Sequence, residues 1–457
     1  MQIGRRFLAH PTPHQQEVLS QWMGCSKTIW NAKVQEEKYL RTYAKKYLPM
    51  GTYAPIDQTC SQYKDKELTP WLYQCPSQIL RNSATHWYQT YQKFLRGECG
   101  KPKLKKKGER QSVHLTRELF QFIQCEDGNT RLWIGTKTNF MGYLSFKKHR
   151  NFKEPNSLRI KKEKGKYYLT FSSENMVTPK TREEHFGKLK TLIKSDLEKI
   201  TIGIDRGVVR PIQAGEKVFD FTKEQKRNKE RHQIRLKRFQ RKLSRQRKGS
   251  KRREKTKLRV AKTHEKIAQI RKDFTHKTSR ALVHDPQNQV FILEDLKTSR
   301  MTRKPKAQLN PNGKGWLKNK AKAKAGLNKA ILDKGWNQFK IYLEYKALRK
   351  NKVVFLLNPY NSSLECANCH HTHPDHRKTQ SKFQCLQCGY EANADYNAQA
   401  VLAYRGINLI QNSGTELSKS GRLFDTGQEA HRKTRFAQNR AEGNELSKKK
   451  SIAAITA

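Results

Sequence analysis

Four cysteines in the C-terminal third of the chain constrain its folding more than any other feature. Cys366 and Cys369 form one Cys-x2-Cys pair, Cys385 and Cys388 form a second, and fifteen residues separate the pairs. Two such turns facing each other supply the four thiolates of a tetrahedral Zn²⁺ site. Because four protein ligands leave no open position for a substrate, we predict a structural zinc, held by a knuckle over residues 366–390.

Four histidines lie in the loop between the cysteine pairs: His370, His371, His373 and His376. Imidazole is also a zinc ligand, so these side chains could compete if a cysteine were lost. The four thiolates already complete a tetrahedron, and we therefore expect the histidines to be bystanders. The total of nine cysteines is odd, and this argues against a disulfide framework.

The formal net charge of the chain is +55, since it has 95 lysines and arginines against 40 aspartates and glutamates. A chain this basic binds polyanions, and nucleic acid is the first candidate. On charge alone, a ribosomal or chromatin-packing protein without chemistry remains an alternative. No apolar run approaches the ~18 residues of a membrane span, and no signal peptide follows Met1. We therefore expect no membrane partner and a cytoplasmic location.

Three segments concentrate the positive charge. Residues 101–107 form a lysine-rich loop, and residues 299–330 are predicted to be a flexible basic loop. Residues 223–280 hold 25 lysines and arginines against 5 acids, and a break at Gly249 predicts two helices there. An ordinary solvated helix balances its charges, so this imbalance predicts phosphate contacts. The candidate nucleic-acid-binding residues are Lys103, Lys105, Lys106, Lys107, Arg235, Arg238, Arg241, Arg245, Arg252, Arg253, Lys257 and Arg271.

Three carboxylate positions stand at the ends of apolar segments. A β-branched run ends at Asp205, a second apolar run ends at Glu294 and Asp295, and a helix opens around Asp395. A lone carboxylate at a buried strand end is unfavourable unless a cation offsets its charge. Carboxylates are hard ligands that suit Mg²⁺ or Mn²⁺, and two such ions can activate water for phosphodiester hydrolysis. The pattern by itself does not choose between Glu294 and Asp295.

These motifs, in this order, resemble the TnpB (OrfB) proteins of insertion sequences, the compact relatives of type V CRISPR effectors. Residues 203–207 (Gly-Ile-Asp-Arg-Gly) resemble the first RuvC motif, and residues 292–296 (Ile-Leu-Glu-Asp-Leu) resemble the second. Residues 359–363 (Pro-Tyr-Asn-Ser-Ser), leading into the cysteine pairs, resemble the zinc-knuckle segment. Residues 393–398 (Asn-Ala-Asp-Tyr-Asn-Ala) resemble the third RuvC motif. The likeness is sharpest in the C-terminal half of the chain.

The resemblance implies an RNA-guided DNA endonuclease. It assigns the catalytic Mg²⁺ or Mn²⁺ ions to Asp205, Glu294 and Asp395, and so chooses Glu294 over Asp295. It implies a guide RNA and both double-stranded and single-stranded target DNA as partners, and we expect a nucleoid-associated prokaryotic protein that works as a monomer. His370 stands where the family usually has glycine, which we expect to loosen the first knuckle slightly.

The resemblance also implies a multidomain fold with α/β, α and β parts. Its components would be an RNase H-like RuvC nuclease domain with an inserted zinc knuckle, a helical recognition lobe and a small oligonucleotide-binding-like β-barrel, the wedge. The predicted segments are the first wedge strand at 1–10, the helical domain at 11–100, the wedge barrel at 101–180, the RuvC domain at 181–365 with basic helices at 223–280, the knuckle at 366–390, the C-terminal part of RuvC at 391–410 and a disordered basic tail at 411–457. Residues 173–195 are predicted to be a polar linker.

Two other functions remain as alternatives. A nuclease-inactive, RNA-guided DNA-binding repressor would have lost its metal ligands, and the presence of all three carboxylates disfavours it. A direct DNA transposase would join strands and would need no RNA.

Overall fold

A computed structural model describes residues 2–44, 56–106, 111–126, 128–136, 140–174, 179–310, 312, 315–317 and 319–426. The chain divides into two compact units, residues 1–178 and residues 179–457. In the described part of the chain, we find no helix that is both long and apolar enough to cross a membrane.

The first unit combines two long helices with one antiparallel sheet. The helices are α1 (Pro13–Tyr39) and α2 (Ser77–Leu95), and a π turn (Leu40–Ala44) follows α1. The strands are β1 (Gln2–His10), β2 (Gln111–Thr116), β3 (Phe120–Gln124), β4 (Thr130–Gly135), β5 (Phe140–Phe146), β6 (Ser157–Glu163) and β7 (Lys166–Glu174). Their order in the sheet is β2-β6-β7-β1-β5-β4-β3.

The two edge strands of this sheet follow each other in the chain. Only a single 3-10 turn, Arg117–Leu119, joins β2 to β3, so the sheet must curl until its two edges approach each other. Strands β6 and β7 form a hairpin, with Lys164 and Gly165 at positive φ in its turn. Strand β1 pairs with both β5 and β7, so the N-terminal segment lies inside the sheet.

A capping box fixes the start of helix α1. The Thr12 hydroxyl accepts a hydrogen bond from the Gln15 backbone N–H at 3.3 Å, and the Gln15 side chain accepts one from the Thr12 N–H at 3.1 Å. The apolar stripe of α1, including Leu19 and Trp22, is buried in one core with residues from the strands. The helix therefore packs its apolar face against the sheet.

The second unit is built on a five-stranded sheet of order β10-β9-β8-β11-β12. Its strands are β8 (Thr201–Asp205), β9 (Ile212–Ala214), β10 (Lys217–Phe219), β11 (Val290–Glu294) and β12 (Val353–Leu357). Strands β8, β9 and β10 form an antiparallel meander, whereas β11 pairs in parallel with both β8 and β12. This sheet holds the predicted carboxylate-bearing strands side by side.

Helices cover both faces of the five-stranded sheet. They are α3 (Arg182–Lys190), α4 (Lys194–Ile200), α5 (Lys223–Arg245), α6 (Lys251–His284), α7 (Thr298–Met301), α8 (Ala321–Lys334), α9 (Trp336–Arg349) and α10 (Ala394–Gln411). On one face Leu293 of β11 packs in a core with Phe339 of α9, and on the other Ile292 packs with Leu402 of α10. Because both faces are buried, β11 and β12 read as unbroken apolar runs rather than alternating ones.

Two short hairpins complete the second unit. Strands β13 (Lys382–Gln384) and β14 (Glu391–Asn393) pair within the cysteine-rich segment. Strands β15 (Thr415–Leu417) and β16 (Leu423–Asp425) pair after α10, and Arg422 forms a bridge with Leu356 of β12. The hairpin therefore extends the ordered fold beyond α10.

Three predictions about irregular segments are wrong. The tail predicted to be disordered from residue 411 begins with the last residue of α10 and the β15–β16 hairpin, while residues 427–457 lie outside the described residues. The loop predicted at 299–330 contains helices α7 and α8, and the linker predicted at 173–195 contains α3 and the start of α4. Each of these segments is polar, and a polar composition does not by itself distinguish an exposed helix or hairpin from an irregular segment.

The predicted helical break at Gly249 is confirmed. Helix α5 ends at Arg245, and α6 begins after Ser250, whose hydroxyl accepts a hydrogen bond from the Arg253 N–H at 3.2 Å. Gly249 adopts a positive φ of 86° in the connection, a conformation that favours glycine. The basic segment is therefore a pair of packed helices.

Candidate active site and zinc knuckle

The three predicted carboxylates come together at one edge of the five-stranded sheet. In the parallel pair β8–β11, Ile204 lies opposite Leu293, so Asp205 and Glu294 end neighbouring strands on the same side. Asp395 lies in the first turn of α10, where its backbone N–H donates to the Asn393 side chain at 3.1 Å. Residues separated by 89 and 101 positions in the sequence therefore meet at one place.

Two glycines allow α10 to approach the sheet closely. A Cβ atom at Gly203 would lie 1.9 Å from the Gln399 carbonyl oxygen and 2.8 Å from the Ala403 nitrogen, both in the α10 backbone. A Cβ atom at Gly406 would lie 2.7 Å from the Ile292 side chain of β11. Contact between the β8 and α10 backbones therefore requires glycine at 203, and this contact brings Asp395 towards Asp205.

A third glycine lies next to the carboxylates. The Gly207 backbone N–H donates to the Arg210 carbonyl oxygen at 3.1 Å, which closes the turn after β8. A Cβ atom at Gly207 would lie 2.6 Å from that oxygen and 3.7 Å from Oδ2 of Asp395. Any larger residue at 207 would push this turn away from the carboxylates.

Burial and neighbouring charge raise the proton affinity of Asp205. Burial is the main cause that raises its pKa to about 7, and the neighbouring Glu294 and Asp395 carboxylates add to it. Burial also raises the pKa of Asp395, and the guanidinium groups of Arg377 and Arg210 oppose that rise. The charge of Asp295, with those of Glu294 and Asp205, acts on the buried Arg206 guanidinium. A partly buried cluster of acids of this kind attracts cations.

Two side chains, the guanidinium group of Arg206 and the hydroxyl group of Ser362, position Glu294. The buried guanidinium group of Arg206 donates to the backbone carbonyl oxygen of Glu294. The Ser362 hydroxyl lies 2.5 Å from Oε1 of Glu294 and donates to it. At the third carboxylate, Nη2 of Arg377 lies 3.7 Å from Oδ1 of Asp395. The groups that contact Glu294 and Asp395 therefore come from three separate segments of the chain.

The three carboxylates are spaced more widely than ligands of a single ion. Among the described residues, the groups whose ligand atoms all lie within 4.8 Å of one another contain cysteines and histidines, not this trio.

Substitution of Ser362 by alanine is expected to weaken metal-dependent cleavage by about tenfold. Without the hydroxyl, the Glu294 carboxylate would be free to rotate, and its affinity for a cation would fall. The measurement is the cleavage rate as a function of Mg²⁺ concentration, in which the S362A variant should require more Mg²⁺. The neighbouring Ser363→Ala variant is the control, and equal behaviour of the two variants would contradict the positioning role.

The four cysteines form the predicted cluster. Sγ of Cys366 lies 3.7 Å from Sγ of Cys388, and Sγ of Cys369 lies 3.5 Å from Sγ of Cys385. All four sulfurs lie within 4.8 Å of one another. For Zn–S bonds of about 2.3 Å, the sulfurs of a tetrahedron are about 3.8 Å apart. The cluster therefore has the dimensions of a four-coordinate metal site.

His370 follows the first cysteine pair in a conformation that favours glycine. Its φ is +60°, and Gly389, which follows the second pair, has a φ of +71°. A non-glycine residue is strained there, while the expected loosening of the knuckle stays a prediction. The His370 ring stacks on Tyr404 of α10 at 3.5 Å between ring centroids, which holds this residue in place.

Helix α10 connects the knuckle to the carboxylates. The Asn397 side chain donates to the Glu365 carbonyl oxygen at 2.7 Å and accepts from the Ala367 N–H at 2.9 Å. Further along the helix, Nε of Arg405 donates to the Glu365 carboxylate at 2.6 Å. The helix that carries Asp395 is therefore fastened to the backbone beside Cys366.

The predicted nucleic-acid contacts fall into two groups. Eight of the twelve side chains are exposed: Lys103, Lys106, Arg235, Arg238, Arg241, Arg245, Arg252 and Lys257. Lys105 is half-buried, with its ammonium group 3.9 Å from the centroid of the Trp30 ring. Lys107 lies outside the described residues.

The other two arginines are held by internal partners. The Arg253 guanidinium donates to the carbonyl oxygens of Leu243 and, at 2.7 Å, of Gln246, so it closes the α5–α6 connection. Nη1 of Arg271 donates to the Leu332 carbonyl oxygen at 3.1 Å and lies 3.5 Å from Asp333. Their structural roles could not be read from a charge count.

Three segments of the chain match known family models. Residues 190–304 match the OrfB/IS605 family model described as "Probable transposase", and residues 336–401 match the model "Cas12f1-like, TNB domain". A model described as "Helix-turn-helix domain", also of the OrfB/IS605 type, matches residues 1–42. These matches agree with the resemblance to OrfB proteins that the sequence motifs show. In this chain, the described part of residues 1–42 is one strand, β1, followed by helix α1 and the start of the π turn.

Curated relatives are similar over nearly the whole chain. The chain is 28% identical to InsQ of Escherichia coli (strain K12), named as a candidate RNA-guided DNA endonuclease, over 91% of this chain and 95% of that protein. It is 24% identical to a protein of Streptomyces pristinaespiralis with the same description, over 88% and 89%. A stretch of 66 residues is 39% identical to the CRISPR-associated endodeoxyribonuclease Cas12f1 of Sulfoacidibacillus thermotolerans, covering 14% of this chain and 16% of that protein.

A solved structure shares the fold. The protein in the cryo-EM structure of a Cas12f1–sgRNA–target DNA complex superposes with a TM-score of 0.52 at 12% sequence identity. The match covers 88% of this chain and 98% of that one. The fold is therefore that of a compact Cas12 effector.

Proposed function

We propose that this protein is an RNA-guided DNA endonuclease in which Asp205, Glu294 and Asp395 hold Mg²⁺ or Mn²⁺. The observation that carries the proposal is the convergence of these three carboxylates from distant segments. The Glu294 and Asp395 carboxylates help to raise the pKa of Asp205, because like charges repel one another. A bound cation would relieve this repulsion, so the raised pKa supports a cation-binding role. The names of the curated relatives support the guide-directed activity.

The topology of the second unit supports an RNase H-like RuvC nuclease domain. An antiparallel meander is followed by two parallel strands in the order 3-2-1-4-5, which is the arrangement expected of that fold. In the first unit, the curled seven-stranded sheet would be the oligonucleotide-binding-like wedge, and α1 and α2 would form the recognition lobe.

The chain's own residues organise the site for phosphodiester hydrolysis. Ser362 and Arg206 fix Glu294, the close approach of α10 at Gly203 fixes Asp395, and the position of Asp205 at the strand end leaves it partly accessible. Divalent ions bound here would activate the attacking water and stabilise the leaving oxygen. The half-buried location of all three carboxylates keeps them open to a DNA strand on one side.

The Cys366, Cys369, Cys385 and Cys388 cluster would hold Zn²⁺ in a structural role. Its four thiolates leave no open position, and its contacts with Asn397 stabilise the start of α10. Zinc would therefore act on catalysis through the placement of Asp395 rather than through contact with DNA.

Guide and target phosphates would bind along the basic helices. The exposed arginines of α5 and the N-terminal half of α6 supply positive charge in the second unit, and Lys103 and Lys106 supply it in the first. In such a protein, base pairing with the guide reads the DNA sequence, while the protein contacts the backbone and a short flanking motif. We expect one chain per guide RNA, and association of the complex with nucleoid DNA.

The test is to sequence the RNA that copurifies with the protein expressed from its native locus. A discrete RNA with a structured scaffold and a variable end is expected, and replacing the variable end should redirect Mg²⁺-dependent cleavage to the matching DNA. Heterogeneous cellular RNA would contradict the proposal and favour non-specific binding by a +55 chain. DNA strand joining without RNA would favour a transposase instead.

The stability of the metal-free protein is expected to fall as the pH rises from 5 to 7.5. Asp205 has a folded pKa of about 7, against about 3.9 for an unfolded aspartate, so between these values the folded state binds the extra proton. Its unfolding free energy should therefore drop by roughly 2–3 kcal/mol over that range, and should level off above pH 7.

The measurement is thermal unfolding in a chelator at several pH values. The Asp205→Asn variant should lack this component of the pH dependence, while Asp196→Asn, at an exposed position, should keep it. Added Mg²⁺ should raise the Tm of the unmodified protein more at pH 7.5 than at pH 5. Identical pH profiles for the unmodified and D205N proteins would refute the assignment.

A further inference from the structure

Three ligand atoms lie beside the cysteine cluster in an arrangement of their own. Nδ1 of His371 is 3.3 Å from Nε2 of His376, and Nε2 of His376 is 3.9 Å from Sγ of Cys385. All three atoms lie within 4.8 Å of one another. These two histidines have the spacing of metal ligands, whereas the sequence alone predicted all four histidines of the loop to be bystanders.

Hydrogen bonding fixes the protonation of the His376 ring. His376 is 1% exposed, and its Nδ1 lies 2.9 Å from the carbonyl oxygen of Leu364, an atom that can only accept. Nδ1 must therefore carry the proton, and in the neutral ring Nε2 presents a lone pair towards His371 and Cys385. This second-nitrogen contact to a carbonyl oxygen is typical of histidines that ligate metals.

The spacing of the three atoms fits a tetrahedral ion. For Zn–N bonds of about 2.05 Å, two ligating nitrogens are about 3.3 Å apart, and with a Zn–S bond of about 2.3 Å, nitrogen and sulfur are about 3.6 Å apart. The observed 3.3 Å and 3.9 Å are close to these values. An imidazole–imidazole hydrogen bond would give the same first distance, and the zinc stoichiometry of the protein distinguishes the two arrangements.

Charge at the cysteine cluster favours a second cation. Four thiolates around one Zn²⁺ leave a net charge of −2, and a thiolate of such a centre retains lone pairs that can bridge to another soft or borderline metal ion. The His371 side chain lies at the protein surface, so solvent can reach the fourth position.

We propose that the knuckle binds a second Zn²⁺ through Nδ1 of His371, Nε2 of His376 and a bridging Sγ of Cys385, with water in the fourth position. Each chain then holds two zinc ions, one closed within the four cysteines and one open to solvent. The second ion ties the loop after the first cysteine pair to the second pair. This site is independent of the nuclease proposal, since none of its ligands belongs to the carboxylate cluster.

The test is zinc stoichiometry of the untagged full-length protein by elemental analysis, after dialysis against a weak chelator. Two equivalents are expected, falling to one in the His371→Ala variant. That variant is suitable because its side chain is exposed, and because the hydrogen bond from the Cys366 N–H uses the backbone oxygen of residue 371. The buried His376→Gln variant should behave alike if it folds, but the conclusion does not depend on it.

The matched control is His373→Asn in the same loop. The His373 ring accepts a hydrogen bond from the Asp375 N–H at 3.2 Å, and asparagine can keep this cap while removing the imidazole. This variant should retain two equivalents. Replacement of zinc by Co²⁺ gives a second readout, because two Co²⁺ ions that share one thiolate couple magnetically and the EPR signal falls when the second equivalent binds.

Three outcomes would overturn the proposal. One equivalent of zinc in the unmodified protein, unchanged in H371A, would mean that the two histidines share only a hydrogen bond. One equivalent that is lost in H371A would mean that His371 ligates the first ion. Two equivalents that persist in H371A would place the second ion elsewhere.

Discussion

Replacement of Asp205 by asparagine is expected to abolish DNA cleavage and to leave RNA-dependent DNA binding intact. The asparagine side chain has nearly the same shape, but it lacks the negative charge that would hold a cation between Asp205, Glu294 and Asp395 in the proposed site. Metal-ion stabilisation of the transition state contributes several kcal/mol, so the cleavage rate should fall by about 10³-fold or more. The proposed nucleic-acid contacts lie mainly on the exposed basic residues of α5 and α6, which this change does not touch.

The experiment compares cleavage and binding by the same guide-loaded protein. Guide-directed binding of labelled DNA should be unchanged within about twofold, since phosphate contacts by lysine and arginine dominate affinity. Cleavage by D205N at the unmodified rate would remove Asp205 from the catalytic site. Loss of both binding and cleavage would indicate misfolding, which circular dichroism and thermal unfolding would reveal.

A neighbouring pair of acids provides an internal control. Glu294→Gln should abolish cleavage as D205N does, because Glu294 is one of the two carboxylates that act on Asp205. Asp295→Asn should retain most activity, since Asp295 acts on the charge of Arg206 instead. The opposite result would exchange the roles of these adjacent residues.

Replacement of Gly203 by alanine is expected to destabilise the second unit by about 3 kcal/mol or more, and to eliminate cleavage. The added methyl group would lie 1.9 Å from the Gln399 carbonyl oxygen, and all three of its nearest atoms in α10 are backbone atoms. No rotation of a side chain can relieve that overlap, so α10 must move as a whole. Asp395, in the first turn of α10, then moves away from Asp205.

The control is Gly187→Ala in α3, where a Cβ atom meets nothing within 4 Å. Alanine there should stabilise the protein by up to about 1 kcal/mol, because it is the better helix former. Gly406→Ala provides an intermediate case, since its Cβ meets only the side chain of Ile292. We expect G406A to lower the cleavage rate less than G203A does. Adding Ile292→Ala to G406A should recover part of that loss, because the smaller side chain makes room for the new methyl group. No such second substitution exists for G203A, whose nearest atoms are backbone atoms. Unfolding free energies and cleavage rates of the four variants check this order, and wild-type behaviour of G203A would contradict it.

Local features of the fold were predictable from sequence. Thr12 and Ser250 cap helices because their hydroxyls accept backbone N–H bonds within a few residues. The Lys164–Gly165 turn and the apolar runs of β11 and β12 are equally local patterns. The cysteine cluster was predictable because its two short turns fix two ligands each. In contrast, α8 was missed because its lysine-rich sequence has little apolar surface, and burial of Ile331 becomes apparent only in the folded unit.

The sequence by itself determined the candidate carboxylates, the cysteine pairs and the basic helices. Only the tertiary structure decided which other residues hold these groups in position. Ser362 lies 68 residues from Glu294, and Gly203 meets Gln399 across 196 positions, so no local pattern reports either contact. The same is true of His376, whose burial and carbonyl contact orient its free nitrogen towards Cys385. Contacts of this kind arise from the packing of α10 and the knuckle against the sheet, and packing depends on shapes that a linear pattern of residue types does not contain.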